Sequence, residues 1–172
     1  MIQELEELQH SITEGRIPEA LALIEELDGM SRRAIINAIE SFIKRMLVHL
    51  IKNQAEQRIT NSWASSIQDS VVHIQKLNQQ GSRTSFYIRP DDWHDFIDES
   101  FELALFEASA EAFGGEYSPF ELSEKFDRDK VFETAMSFIQ LTYNYSGKSL
   151  PPAIQEILVS LPGGDGWRNR KR

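Results

Sequence analysis

Ser31-Arg32-Arg33-Ala34-Ile35-Ile36-Asn37-Ala38-Ile39-Glu40-Ser41-Phe42-Ile43-Lys44-Arg45-Met46-Leu47-Val48-His49-Leu50-Ile51-Lys52 is the stretch that decides the fold class. At about 100° per residue, Ile35, Ile36, Ile39, Phe42, Ile43, Met46, Leu47 and Leu50 fall on one half of a helical cylinder. Arg33, Asn37, Lys44, Arg45 and Lys52 fall on the other half. Ser31 suits an N-cap, and no Gly or Pro interrupts the run before about Arg58. At about 1.5 Å per residue this helix is roughly 40 Å long, enough to serve as the spine of a domain.

The same rhythm extends to both sides. Ile2, Leu5, Leu8 and Ile12 predict a helix that Gly15 closes. Pro18 opens a second, with Leu21, Ile24 and Leu27 as its stripe and Gly29 as its stop. Gly15 to Leu21 resembles the second helix of a tetratricopeptide unit, but a shift of 34 residues places His49 where a second glycine belongs, so there is no array. Downstream, Thr60-Asn61-Ser62 offers caps for a helix carrying Trp63, Ile67, Val71, Ile74 and Leu77, a narrow stripe that should bury one side only. Thr84 to Ile88 has no partner strand and reads as an extended connector. Pro90-Asp91-Asp92 starts the next helix, which runs to Gly114-Gly115. Trp93, Ile97, Phe101, Ala104, Leu105 and Ala108 form one apolar face there, and Phe96, Leu103, Phe106, Ala110 and Phe113 a second. Such a helix is central or faces a partner. Ser118-Pro119-Phe120-Glu121 is a capping box. Asp127 or Asp129 caps a helix of Val131, Ala135, Phe138, Ile139 and Thr142, and Pro151-Pro152 open a last one before Pro162-Gly163-Gly164 breaks the pattern. The expectation is an all-α fold: a single-domain bundle of about seven to eight helices over 1–161 around one long amphipathic helix, with a flexible basic tail over 162–172. Trp63 and Trp93 read as core anchors.

The chain has 172 residues, 18 basic and 27 acidic, for a formal net charge of −9. It has no cysteine, which removes disulfides, thiolate nucleophiles and cysteine metal sites. The opening Met1-Ile2-Gln3-Glu4 lacks the features of a secretory signal, and no segment approaches a membrane span, so the expected setting is cytoplasmic and soluble. Charge is sectored: −7 over 1–30, +6 over 31–90, −11 over 91–135 and +4 over the last five residues. Such runs are usually solvated faces that partly neutralise one another. They could also steer a charged partner. Arg33, Lys44, Arg45 and Lys52 are too sparse, and too far from aromatics, for a specific nucleic-acid site.

His49-Leu50-Ile51-Lys52 followed by Asn61-Ser62-Trp63-Ala64-Ser65-Ser66-Ile67 resembles domain-of-unknown-function family twenty-nine, a group of helical proteins common in cyanobacteria. Ile88-Arg89-Pro90-Asp91-Asp92-Trp93 and Leu161-Pro162-Gly163-Gly164 extend the likeness to a subgroup over nearly the whole chain. Many members carry arginines in the tryptophan-led helix, where Gln68 and Asp69 stand here. The resemblance implies an all-helical domain, and it implies no activity or catalytic residue.

Two functional readings follow. The first is a non-enzymatic protein-interaction or adaptor module, including self-association, using Arg33, Lys44, Arg45, Lys52, Phe106 and Phe113, with no cofactor or metal. The second is a metal-dependent phosphohydrolase. Its His49, His94-Asp95 and Asp127 follow the His, His-Asp, Asp order that such sites need to hold a hydroxide-generating divalent ion. Against it, His94-Asp95 sits in the first turn of a helix, where acids occur as caps. Glu7-Leu8-Gln9-His10 matches one Glu-x-x-His pair of di-iron bundles, which need two such pairs and two further glutamates, but it points off its apolar stripe, and His73 has no evident partner. Gly114-Gly115 and Gly163-Gly164 follow helices instead of opening them, so they are stops and not phosphate loops.

Overall fold

The computed structural model describes residues 2–80 and 85–169. Its helices are α1 (Ile2–Thr13), α2 (Ile17–Glu56), α3 (Asn61–Asn78), α4 (Trp93–Glu111), α5 (Pro119–Ser123), α6 (Arg128–Asn144), α7 (Leu150–Ser160) and α8 (Gly164–Arg168). Short 3-10 turns, Pro90–Asp92 and Ala112–Gly115, flank α4. The fold is all-α, and among the described residues the extended backbone reduces to one isolated bridge, Gln79 to Phe86. Among the described residues no helix is long and apolar enough to cross a membrane.

The residues gather into two compact units, Met1–Ala38 and Ile39–Arg172. The first is a helical hairpin of α1 and the opening turns of α2. Gly15 takes a left-handed φ of 72°, and Arg16 N–H donates to Ser11 O at 2.8 Å, which closes the turn. Ser11 and Ala20 are buried, and Leu8, Leu23 and Leu27 are half-buried. Gly29 does not stop the second helix, and Ser31 does not cap a third. Both lie inside the 40-residue α2. A helical glycine costs about 1 kcal/mol relative to alanine, and the helix-forming residues on both sides of Gly29 offset that.

In the second unit, the C-terminal part of α2 is surrounded. Ile39, Ile43, Met46, Leu47, Leu50 and also Val48 and Ile51 are buried. Thr60 caps α3, its side chain accepting from Trp63 N at 3.1 Å. This helix buries more than one narrow stripe: beyond Trp63, Ile67, Val71 and Ile74 it also buries Ser66, Ser70, Gln75 and Asn78. Helices α6 and α7 both pack on it, and the polar residues survive burial by bonding backbone. Gln75 Nε2 donates to Thr142 O and Tyr145 O, and Ser70 Oγ to Ser66 O. Asn78 grips the connector, accepting from Ile88 N at 2.7 Å and donating to Ile88 O and the Tyr143 hydroxyl. Thr84, the start of the expected connector, lies outside the described residues.

Helix α4 packs against α5 and α6 through the face carrying Trp93, Ile97, Phe101, Ala104, Leu105 and Ala108. The Ser118–Glu121 capping box forms at both of its bonds, and Asp127 caps α6 by accepting from Asp129 N at 2.9 Å. The segment expected to be a flexible tail from Pro162 carries a short helix over Gly164–Arg168. Pro162 O accepts from buried Asn53, and Gly163 has a φ of 74°. A Cβ on Gly164 would lie 2.1 Å from Val159 O, so only glycine lets α8 fold back so closely on α7. Arg170, Lys171 and Arg172 lie outside the described residues.

Candidate functional site

The last turns of α2 hold a dense polar group. Lys52 is 7% exposed, with its ammonium 3.0 Å from Glu111 Oε2 and 4.6 Å above the Trp63 ring. The Arg58 guanidinium also lies over that ring, at 4.7 Å, and pairs with Glu56. Two turns of chain converge on Asn53, which is fully buried and donates to Arg58 O at 3.0 Å and Pro162 O at 2.8 Å. His49 is half-buried one turn earlier. Burial pushes its imidazole down to about 4, and the positive charge of Lys52 adds to the effect. His49 is therefore neutral near neutral pH. Its Nδ1 and the Asn53 Oδ1 are buried without a hydrogen-bond partner.

These contacts tie α2 to the 57–60 turn, to α3, to the end of α4 and to Pro162. The arrangement is a joint. Lys52 is occupied by a carboxylate and a ring, so it is not the outward cation that the helical wheel suggests. The wheel places a side chain by angle, and here neighbouring elements cover that angle too.

The other cations proposed as contacts are placed as follows. Lys44 pairs with Glu107 at 3.1 Å. Arg45 donates to Ser66 Oγ at 2.7 Å and pairs with Asp69 at 3.1 Å. The basic sector thus meets acids from α3 and α4. Arg33 is exposed in the first unit. Phe106 is 69% exposed, while Phe113 is half-buried edge-on to Tyr117 at 5.3 Å. Trp93 is fully buried and Trp63 is 7% exposed, as core anchors should be.

The proposed metal constellation does not assemble: among the described residues no group of three or more His, Asp or Glu side chains could hold an ion. Asp127 is a helix cap. The His94 side chain is 70% exposed, 3.6 Å from Asp95, with its ring 4.7 Å from Phe132. His49 belongs to the joint. His10 pairs with Glu14 at 3.0 Å, and Glu7 accepts from Gln3. His73 does have partners: it stacks on Phe42 at 4.7 Å and approaches Asp69.

Sequence reasoning missed a surface. In the hairpin, Ile2 is 77% exposed, Leu5 50%, Ile12 55%, Ile17 53%, Leu21 56% and Ile24 47%. These residues have the spacing of a buried stripe, and only exposure reveals that they are left open. At about 100° per residue, the open apolar arc of each helix lies about 100° round from the arc that makes the hairpin contact, in the same rotational sense. In antiparallel helices that sense leads to one common side. On the opposite side Gln3, Glu6, Glu7, His10, Arg16 and Glu19, with Ala22 and Leu23, line a groove. The open apolar residues thus lie away from this charged groove.

The sequence pattern of the family described as "Domain of unknown function DUF29" matches residues 18–132. The chain belongs to this family. The match begins in α2 and ends in α6, so it takes in Lys52, Asn53 and the Trp63 helix and leaves out α1 and Pro162. Within the matched range Leu50, Ile51 and Trp63 pack in the core and Lys52 pairs with Glu111. No curated protein and no solved structure matches the chain.

Proposed function

We propose that this chain is a non-enzymatic protein-interaction module that docks through its N-terminal hairpin. The observation that carries the reading is the open apolar side of Ile2, Leu5, Ile12, Ile17, Leu21 and Ile24. Apolar surface left in water is a lost contribution of about 25 cal/mol per Å², and contiguous patches of it mark binding sites. Exposed Leu103 and Phe106 on α4 form a smaller ridge of the same kind. The cations first considered as contacts, Lys44, Arg45 and Lys52, contribute through internal pairs, while Arg33 and Phe106 stay available.

The test is affinity capture from an extract of the native cell, using the chain and a variant with Leu5→Ser, Ile12→Ser and Leu21→Ser. Circular dichroism checks that both are equally helical. The variant should lose proteins that the parent retains. An identical retained set for both would remove the hairpin from the reading.

A further inference from the structure

The hairpin's charge says what kind of partner fits its apolar side. The hairpin, residues 1–38, holds eight acidic side chains against three basic, Arg16, Arg32 and Arg33. Arg16 is already committed to Glu14 and Glu19. On the α2 wheel the exposed Glu25 and Asp28 lie beside Leu21 and Ile24. The apolar side thus has an acidic margin along α2.

We infer that this side receives a basic amphipathic helix: an apolar stripe at i, i+3, i+4 and i+7 flanked by Lys or Arg. This inference rests on the docking role proposed above. The stripe would lie between α1 and α2 as a third helix, its apolar residues set among Leu5, Ile12, Leu21 and Ile24. Its cations would meet Glu25 and Asp28. The charge weighs against two other occupants. A second copy of the hairpin would bring two acidic margins together, and like charges across an interface are unfavourable. Helices that settle on anionic lipid carry Lys and Arg on their polar face, the reverse of this pattern.

The test uses the full chain and two labelled synthetic peptides with the same Leu/Ile stripe, one flanked by Lys and the other by Glu, read by fluorescence anisotropy. Sedimentation velocity of the chain alone accompanies them. The Lys peptide should bind at least about tenfold tighter than the Glu peptide, and its affinity should fall as salt rises from roughly 50 to roughly 500 mM. Leu5→Ser with Leu21→Ser should weaken it by about tenfold or more. Glu25→Gln with Asp28→Asn should flatten the salt dependence.

Equal binding of both peptides, lost in the Ser variant, overturns the basic-partner claim and leaves the docking role standing. Self-association that Leu21→Ser abolishes puts a second copy on this side and overturns it likewise. Lys-peptide binding indifferent to the Ser substitutions places that binding elsewhere and overturns it. Binding of neither peptide by a monomeric chain overturns it too, and an unchanged capture set then removes the docking role as well.

Discussion

His49 shows how far one residue's chemistry departs from its reading in sequence. As a member of a His, His-Asp, Asp series it suggests a metal ligand. In place, it is a neutral ring at the edge of a buried joint, lowered to about 4 from 6.5. Between these values the unfolded chain binds a proton that the folded chain does not. Stability contributed by neutral His49 is therefore complete above pH 6.5 and falls as pH drops toward about 4. Allowing for solvent at the partly exposed ring, the loss by roughly pH 5 is about 1–2 kcal/mol. Urea denaturation at roughly pH 7 and roughly pH 5 should show it, and His49→Gln should remove that part of the slope. Equal slopes in parent and variant would mean that the ring titrates as it does in water. Lys52 carries the same lesson: its position on the wheel was legible, but its burial against Glu111 and Trp63 depends on residues 11 and 59 positions away.

Among elements, the periodic stripes and caps located α3 through α7, because local backbone bonding and apolar spacing are written in consecutive residues. Gly29 was not legible in the same way. Glycine ends a helix when its backbone turns left-handed, as at Gly15, and composition alone does not distinguish that from a glycine inside a helix. A Cβ at Gly29 would meet nothing within 4 Å. Gly29→Ala should therefore stabilise the protein by about 0.5–1 kcal/mol. Gly163→Ala should destabilise it by at least about 1 kcal/mol, since its φ is 74° and the new Cβ would lie 2.7 Å from Arg58 Cα. Thermal unfolding of the two variants checks both signs. A destabilising Gly29→Ala would show that α2 needs a bend there.

For the whole molecule, the sectored charge is partly resolved inside the second unit, where Lys44 and Lys52 meet Glu107 and Glu111. The exposed pair of these contributes only about 0–1 kcal/mol. The scattered histidines and acids predict that divalent ions are not part of the folded state. EDTA should leave the unfolding midpoint unchanged within about 1 °C, because only a ligand bound to the native state shifts it. A clear fall, repeated by His94→Ala, would revive the His49, His94, Asp95 and Asp127 reading.

The amino-acid order by itself determined that this chain is helical, where most helices begin, and which tryptophans anchor its core, since hydrogen bonds and side-chain spacing within a helix are local. Only the tertiary structure decided that Lys52 and Asn53 are buried, that the reactive side chains stay apart, and that the hairpin's apolar side is open. Each of those depends on what packs over a residue, and that cover is supplied or withheld by segments distant in the chain.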